Sequence, residues 1–377
     1  MMQMFRQTAL FVLLAILASP AFATDAHDDL HGEEFKAGEM ITHHISDAHV
    51  IHLFSNVHIP LPCFIWTEQG LDVFLSSEFD YHEGHPTTTY TSPKGYTYEN
   101  HHETIYIVDG MDAGDSHEAE GHSEHTGSAD HGHDYHGVKP LDLSITKTVF
   151  GMLLIMIIMC VVFFRVAKRY KQREGQAPKG IQNFFEPLIL FIRDEVAVPS
   201  IGKGKADRYM PFLLTVFFFI WMCNILGLIP FLGGFNVTGT MGVTIVLAAI
   251  VWLMTMFSGN KHYFGHIFWP PGVPMFVKVI LVPIEIASIF IKPAVLMVRL
   301  TANITAGHII ILAFVSLIMI FGQGGEAAGL GIGVGVGATA FMIFMFFIEL
   351  LVAFLQAYVF TLLAAIYFGE ATHEEHH

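Results

Sequence analysis

Long apolar runs constrain this chain most strongly, because about 20 consecutive apolar residues suffice for a helix to cross a bilayer. The 377 residues are 53% hydrophobic and only 14% charged. We therefore predict an all-α integral membrane protein with five transmembrane helices. The runs that supply them are Phe150 to Phe164 with a few residues upstream, Tyr209 to Phe231, Met241 to Phe257, Pro274 to Phe321 and Ala338 to Phe368.

The last two runs predict unusually long helices. Pro274 to Phe321 is too long for one upright helix and has no clear polar turn that would divide it into two. A strongly tilted helix, bent at Pro283 and Pro293, resolves that conflict. The Gly-rich segment GQGGEAAGLGIGVGVG predicts a turn before the fifth helix, which is also long and tilted. Between the third and fourth runs, Ser258 to Val273 predicts a loop in water.

Basic residues indicate the orientation of the spans. The cluster RVAKRYKQR directly follows the first span, and such clusters mark the cytoplasmic side. The next segment, IQNFFEPLILFIRDEVAVP, mixes apolar and charged residues at helical spacing and predicts one interfacial amphipathic helix. Five crossings that start outside place the carboxyl terminus in the cytoplasm. We expect a multi-pass membrane protein.

The amino-terminal third differs in charge from the rest. Thr24 to Val138 carries 22 of the 34 acidic residues but only 2 of the 19 basic ones. Before it, Arg6, a short apolar core, and Ala21 and Ala23 are typical of a signal peptide over residues 1–23. An uncleaved first anchor is the alternative. Cleavage would leave the mature amino terminus in the periplasm.

We divide the remaining chain into an exported extension, residues 24–138, and a membrane domain, residues 139–377. Strand-like runs from Ile41 to Val108 predict a small β-rich module: HVIHLFSNVHIPL, FIWTEQGLDVFLSSEFDY and TIYIVD. Residues 110–137 are rich in His, Asp and Gly and predict disorder. Seventeen of the 23 histidines precede Val138, which suits metal buffering, but no spacing repeats like a structural zinc site. We favour a solvated linker. Only Cys63 lies in the extension, so no disulfide framework is implied.

The fourth run carries charged residues at regular spacing. Lys278, Glu285, Lys292 and Arg299 recur every seven residues, so on a helix they form one slowly drifting stripe. Asn303 extends that stripe. Arginine stays protonated at any depth, and a charge within a bilayer is by default a functional-site hypothesis. The alternative for the two lysines is that they only snorkel towards water or lipid headgroups.

The fifth run carries a second polar set. Glu349 and Gln356 are seven residues apart, and His308 lies near the outer end of the preceding helix. An antiparallel helix pair would bring imidazole and carboxylate together, as a proton-accepting pair. The alternative is that His308 is an ordinary packing residue.

Several motifs together resemble subunit a of the rotary F-type ATP synthase. The similarity covers about Lys139 to Phe368, and the motifs stand in the family's order and at its separations. The exported extension departs from the family pattern. The motifs are RLTANITAGH with the preceding PIEIASIFIKPAVLMV, then IELLVAFLQAYVFTLLAAIY, and the earlier MPFLLTVFFFIWMCNILGLIP.

The resemblance implies roles for individual residues. Arg299 matches the family's essential arginine, which faces the ion-carrying carboxylate on the rotating ring of c subunits. Asn303 and Gln356 match polar residues of the outer half-channel. Glu285 and Ser288 match positions that line the inner half-channel.

His308 and Glu349 show an exchange relative to bacterial members of the family, which have Glu at the first position and His at the second. The same exchange occurs in mitochondrial members. Because a His and Glu pair is preserved, the resemblance implies that the two helices are in contact there.

The resemblance also implies what surrounds the chain. The chain would be a stator subunit of a bacterial cell inner membrane, with two offset half-channels, and not an enzyme by itself. It would contact the c-subunit ring, the b-subunit peripheral stalk, other ATP synthase subunits and the lipid bilayer. We predict no cofactor, resident metal or nucleic-acid partner. One alternative is a secondary metal or cation transporter with a His-rich collecting segment, but the expected symmetry between halves is absent from the sequence. Another is a membrane anchor for the exported module.

Overall fold

The computed structural model describes residues 38, 47–54, 57–79, 88–101, 103–108, 138–172, 176–229, 235–270, 272–322 and 328–372. The predicted signal peptide and the predicted disordered tract, residues 110–137, lie outside these ranges. The chain forms two compact units. The smaller comprises Ser46–His52 and Asn56–Lys147, and the larger is built on Thr148–His377.

The smaller unit consists of short strands. All three runs that predicted strands contain them, and β5, β6 and β8 are additional. In β3, Cys63, Ile65 and Thr67 are buried while their neighbours are less so, the alternation expected of a strand with one face on a core. The strands are β1 Val50–Phe54, β2 Val57–Pro60, β3 Pro62–Thr67, β4 Gly70–Leu75, β5 Thr88–Thr91, β6 Thr97–His101, β7 Thr104–Ile107 and β8 Leu141–Asp142.

These strands form three small sheets. β1 pairs with β2, the order β4-β3-β8 makes a second sheet, and β5-β6-β7 makes a third. In the last two sheets neighbouring strands are antiparallel. β8 follows Val138, so residues that we had grouped with the membrane domain pair with strands of the extension.

The larger unit is helical. Five of its helices are long and apolar enough to cross a membrane, among the residues described: α1, α4, α5, α7 and α8. The helices are α1 Lys147–Gln172, α2 Ile181–Phe191, α3 Val198–Ile201, α4 Ala206–Gly227, α5 Met241–Ser258, α6 Lys261–Phe268, α7 Met275–Gly322 and α8 Ala328–Thr372. A π-helical turn, Ile192–Ala197, joins α2 to α3.

The fourth apolar run forms one continuous helix of 48 residues, as predicted. α7 passes through Pro283 and Pro293 without ending, although each proline removes one backbone donor. Neighbouring groups in a helical membrane protein can satisfy the carbonyls that are freed.

Two predicted irregular segments are partly helical. The Gly-rich segment was predicted as a turn, but its residues from Ala328 onwards belong to α8. Glycine is a weak helix former in water, but an apolar environment leaves its backbone no solvent partner and favours the intrahelical bonds. The predicted loop after α5 contains the short helix α6. Its first turn is closed by the hydrogen bond that the Phe264 backbone amide donates to the Asn260 carbonyl.

Aromatic packing holds α8 against α4. Phe217, Phe218 and Phe368 are fully buried in the core of the larger unit. The rings of Tyr209 and Phe368 stack at 4.9 Å between centroids, and Phe217 meets Phe354 edge to face. α8 also packs along α7. The polar residues of α7 and α8 are thereby held at defined positions.

Candidate functional site

Arg299 lies on the exposed side of α7. Leu296 and Leu300, three residues before and one after, are buried, whereas Arg299 and Asn303 are exposed. The four-residue interval places Arg299 and Asn303 on one helix face. Within the described part of the chain, the Arg299 guanidinium forms no ion pair or hydrogen bond. It is therefore available to an anion outside this chain.

His308, Glu349 and Asn303, which the sequence predicted as one proton path, line one cleft between α4, α7 and α8. We call it the His308 cleft. Its walls are formed by Asn224, Leu228, Asn303, Ile304, Gly307, His308, Glu349, Val352 and Ala353.

Two glycines shape the His308 cleft. A Cβ on Gly307 would collide with the carboxylate of Glu349, so the absence of a side chain lets Glu349 lie directly against α7. On α4, a Cβ on Gly227 would lie 2.7 Å from the carbonyl oxygen of Phe235 and 3.5 Å from Nε2 of His308. Gly307 thus permits the close approach of α7 and α8, and Gly227 permits the close approach of α4 and the Phe235 carbonyl.

Glu349 is a buried carboxyl group without a fixed partner. The residue is 9% exposed, and neither carboxylate oxygen accepts a hydrogen bond from any residue that the structure describes. His308 and Glu349 therefore share a cleft without a direct hydrogen bond. A buried group of this kind is suited to exchange a proton with a visiting carrier, because no fixed contact must be broken first.

Asn224 is a cleft residue that our reading of the sequence did not select. It is 2% exposed, donates to the carbonyl of Ala353 at 3.2 Å, and accepts from the Thr238 hydroxyl at 2.5 Å. A single Asn within the apolar run IWMCNILG was the available signal. Its amide ties α4 to α8 beside Glu349.

Gln356 is 8% exposed and lies two turns beyond Glu349 on α8. α7 and α8 are antiparallel, since Gly307 meets Glu349 while Lys292 meets Glu370. That register places Gln356 near the level of Asn303 and Arg299. It is not among the residues that line the His308 cleft.

A second cleft lies against the amino-terminal half of α7. We call it the Lys292 cleft, after the lysine whose ammonium forms an ion pair with the carboxylate of Glu370 and lies 5.3 Å from the ring centre of Tyr367. It is lined by Val251, Trp252, Thr255, Met256, Tyr263, Ile289, Lys292, Pro293, Tyr367 and Glu370.

The predicted inner-path residues adjoin this cleft but do not line it. Glu285 and Ser288 are half-buried on α7, and the Ser288 hydroxyl donates to the Glu285 carbonyl at 2.7 Å. Burial, together with the negative charges of Glu370 and Glu285, raises the pKa of the Tyr263 phenol. Tyr263 and Glu370 were not selected from the sequence, because one lies in an expected loop and the other in an acidic tail.

The two clefts lie at opposite ends of α4. Asn224 of the His308 cleft is in the last turn of α4. At the other end, the ammonium of Lys205, just before α4, donates to the Thr372 carbonyl at 2.7 Å, close to Glu370. Twenty-two helical residues rise about 33 Å. Arg299 stands between the clefts, seven residues after Lys292 and nine before His308.

No described group of three or more His, Cys, Asp and Glu residues is close enough to hold a metal ion. The geometry among the described residues thus offers two separate clefts, each containing ionisable side chains, and one exposed cation between them.

Comparison with known proteins gives two family matches. The family described as ATP synthase A chain matches residues 149–369, and the family described as domain of unknown function (DUF8433) matches residues 40–142. The two matches fall almost entirely in the larger and the smaller unit, respectively.

Individual relatives agree with the first match. ATP synthase subunit a of Chloroherpeton thalassium is 41% identical over 242 residues, which cover 62% of this chain and 69% of the relative. ATP synthase subunit a 2 of Chlorobaculum tepidum is 43% identical over 249 residues, covering 64% and 67%. ATP synthase subunit a of Myxococcus xanthus is 38% identical over 256 residues, covering 66% and 80%.

These matches give no support to the metal transporter interpretation. Five apolar helices, two clefts with ionisable side chains separated by Arg299, and a family match over most of the larger unit agree with one another. The chain belongs to the ATP synthase A chain family.

Proposed function

We propose that this chain is the proton-channel stator subunit of a rotary ATP synthase, and that its two clefts are offset half-channels. The observation that carries this is the position of Arg299, exposed on α7 between the His308 cleft and the Lys292 cleft. A proton passing from one cleft to the other must then be carried by a group outside this chain. The relatives named ATP synthase subunit a support the same assignment.

The outer path uses the His308 cleft. A proton from the periplasm reaches Glu349 and His308, and passes by Asn303 and Gln356 to a carboxylate on the ring of c subunits. Asn224 holds the α4 wall of the cleft in place through its bond to Ala353. The protonated ring carboxyl is neutral and can rotate through lipid.

The proton is released through the Lys292 cleft, against the amino-terminal half of α7. As the ring carboxyl approaches Arg299, the fixed cation favours its ionised form, because an opposite charge at close range stabilises a carboxylate. The proton leaves through the Lys292 cleft, past Glu285 and Ser288, to the cytoplasm. Arg299 also keeps the clefts separate, because its charge repels protons that would cross directly.

The membrane potential drives this cycle. Each elementary charge that moves through about 100 mV releases about 2.3 kcal/mol. Several protons per turn therefore deliver enough free energy for ATP synthesis in the catalytic head.

The placement in the membrane follows from the same proposal. Five helices cross the inner membrane, α7 and α8 strongly tilted, and α2 lies at the interface. The basic residues after α1 face the cytoplasm, so the carboxyl terminus is cytoplasmic and the extension periplasmic, after removal of a signal peptide over residues 1–23. The face of α7 bearing Arg299 contacts the c-ring, and the b-subunit peripheral stalk and other ATP synthase subunits complete the stator.

The direct test is Arg299→Ala in the assembled ATP synthase. We expect ATP synthesis driven by a proton gradient to be abolished while the complex still assembles, because Arg299 is exposed and forms no ion pair or hydrogen bond with the residues that the structure describes. The measurements are ATP synthesis in inverted membrane vesicles and co-purification of the c-ring with the ATPase head. Substantial coupled synthesis in an assembled Arg299→Ala complex would refute the mechanism.

A further inference from the structure

We propose that Glu370 is a positioning residue of the inner proton path, where it neutralises Lys292 so that a leaving proton meets no unpaired cation in the Lys292 cleft. This inference rests on the proposed function and adds a residue that the inner path was not expected to contain. The juxtaposition that carries it is an ion pair between α7 and α8 in the wall of a cleft one heptad from Arg299.

The cleft brings one cation and several polar groups together from four helices. Lys292 is on α7, Glu370 and Tyr367 are on α8, Tyr263 is on α6, and Thr255 is on α5. The side chains of Lys292 and Glu370 are 34% and 45% exposed, so the pair is in contact with solvent while it lines the cleft. A proton that leaves by this route passes within a few ångströms of the Lys292 ammonium.

Glu370 is held in place by contacts other than its ion pair. Two backbone carbonyls at the end of α8 accept hydrogen bonds. The Lys205 ammonium donates to the carbonyl of Thr372, and the backbone amide of Asn260 donates to the carbonyl of Ala371 at 3.1 Å. Gly369 packs so closely on the carbonyl of Ser200 that a Cβ there would collide with it. α8 therefore ends at a fixed point whether or not Lys292 is present.

An exposed ion pair contributes little to stability, because solvent screens it and two long side chains lose freedom. Stabilisation of the fold therefore does not explain why Lys292 and Glu370 are paired. An unpaired ammonium beside the path repels a passing proton, and that repulsion does not depend on how much the ion pair stabilises the fold. Removing Glu370 alone leaves a cation that raises the barrier to proton release.

The test uses the complete ATP synthase in membrane vesicles, with ATP synthesis and passive proton conduction as readouts. The variants are Glu370→Gln, Lys292→Gln and the double variant. The matched control is Lys278→Gln, which removes the cation two heptads earlier on α7, where it lies over the Trp269 ring and outside the Lys292 cleft.

We expect Glu370→Gln to slow both activities about tenfold, which corresponds to a rise of about 1.4 kcal/mol in the activation barrier. The double variant should return to within about twofold of the wild type, since it removes the cation together with its partner. Lys292→Gln should be no slower than the double variant, because neither carries the cation, and Lys278→Gln should stay near the wild type. Raising the ionic strength should partly restore Glu370→Gln, because salt screens the remaining charge.

Two results overturn the inference. Wild-type activity in Glu370→Gln removes the role altogether. A double variant as slow as Glu370→Gln shows that the carboxylate itself is required and that charge compensation is not its role. Arg299→Ala measured in parallel separates the two levels: coupled synthesis in that variant defeats the proposed function, whereas its loss beside a normal Glu370→Gln defeats only this inference.

Discussion

Single residues determine how closely α7 and α8 approach. Gly307 is the clearest case, because the Glu349 carboxylate occupies the space that a side chain on Gly307 would need. The sequence showed Gly307 only as part of the RLTANITAGH motif, without a reason for glycine. The reason is steric and becomes visible only when the second helix is in place.

We predict that Gly307→Ala displaces Glu349 and slows proton transport about tenfold, with a packing cost of about 1–3 kcal/mol. ATP-driven proton pumping in vesicles and the thermal unfolding midpoint measure the two effects. Gly333→Ala is the matched control, because a Cβ on that α8 glycine meets open space. The idea is wrong if both variants pump equally well.

At the scale of elements, the antiparallel pair of α7 and α8 assembles both clefts. The uninterrupted apolar run from Pro274 to Phe321 correctly predicted one long helix, on which Lys278, Glu285, Lys292 and Arg299 recur every seven residues. The heptad spacing alone did not show that the two lysines have different partners. Lys292 pairs with Glu370, whereas Lys278 lies 4.2 Å from the ring centre of Trp269. Glu370 is 78 residues from Lys292, and Trp269 precedes the start of α7, so periodicity within one helix could identify neither partner.

The same helix pair predicts how His308 and Glu349 depend on each other. Exchanging them, as His308→Glu with Glu349→His, should retain more proton transport than either single change, because the cleft keeps one imidazole and one carboxyl group. The measurement is the rate of proton pumping for the two single variants and the double variant. A double exchange no better than the singles would show that the two side chains act independently.

At the scale of the whole molecule, two compact units correspond to two family matches. The proposed proton path uses residues of the larger unit alone. The acidic composition of residues 24–138 predicted that they would differ from the remainder of the chain, and the smaller unit contains β3, β4 and the other strands of that region.

We therefore predict that deleting Asp112 to Gly137 leaves coupled proton transport near the wild-type rate, because no residue of the proposed path lies there. The test compares ATP synthesis in vesicles with and without added zinc, using the full-length chain as control. A loss of coupled activity under metal-replete conditions would argue that the tract has a role beyond that of a linker.

Much of the helical architecture and several proposed site residues could be predicted from the sequence. Apolar length alone predicts the spans, since a bilayer imposes one length scale on every helix. The spacing on α7 and α8 selected Arg299, Asn303, His308 and Glu349, and the structure gathers the last three around one cleft. The Gly-rich turn was wrong from Ala328 onwards, because propensity in water does not hold in an apolar environment.

The sequence by itself determined that the chain crosses a membrane and carries an arginine that cannot lose its proton there. Only the tertiary structure decided which groups form the clefts on either side of that arginine. It brought Asn224 to Glu349, Glu370 to Lys292, and opened a cleft on either side of Arg299. The physical reason is that hydropathy and helical periodicity act along one helix, whereas a cleft arises from residues of several helices whose contacts depend on packing.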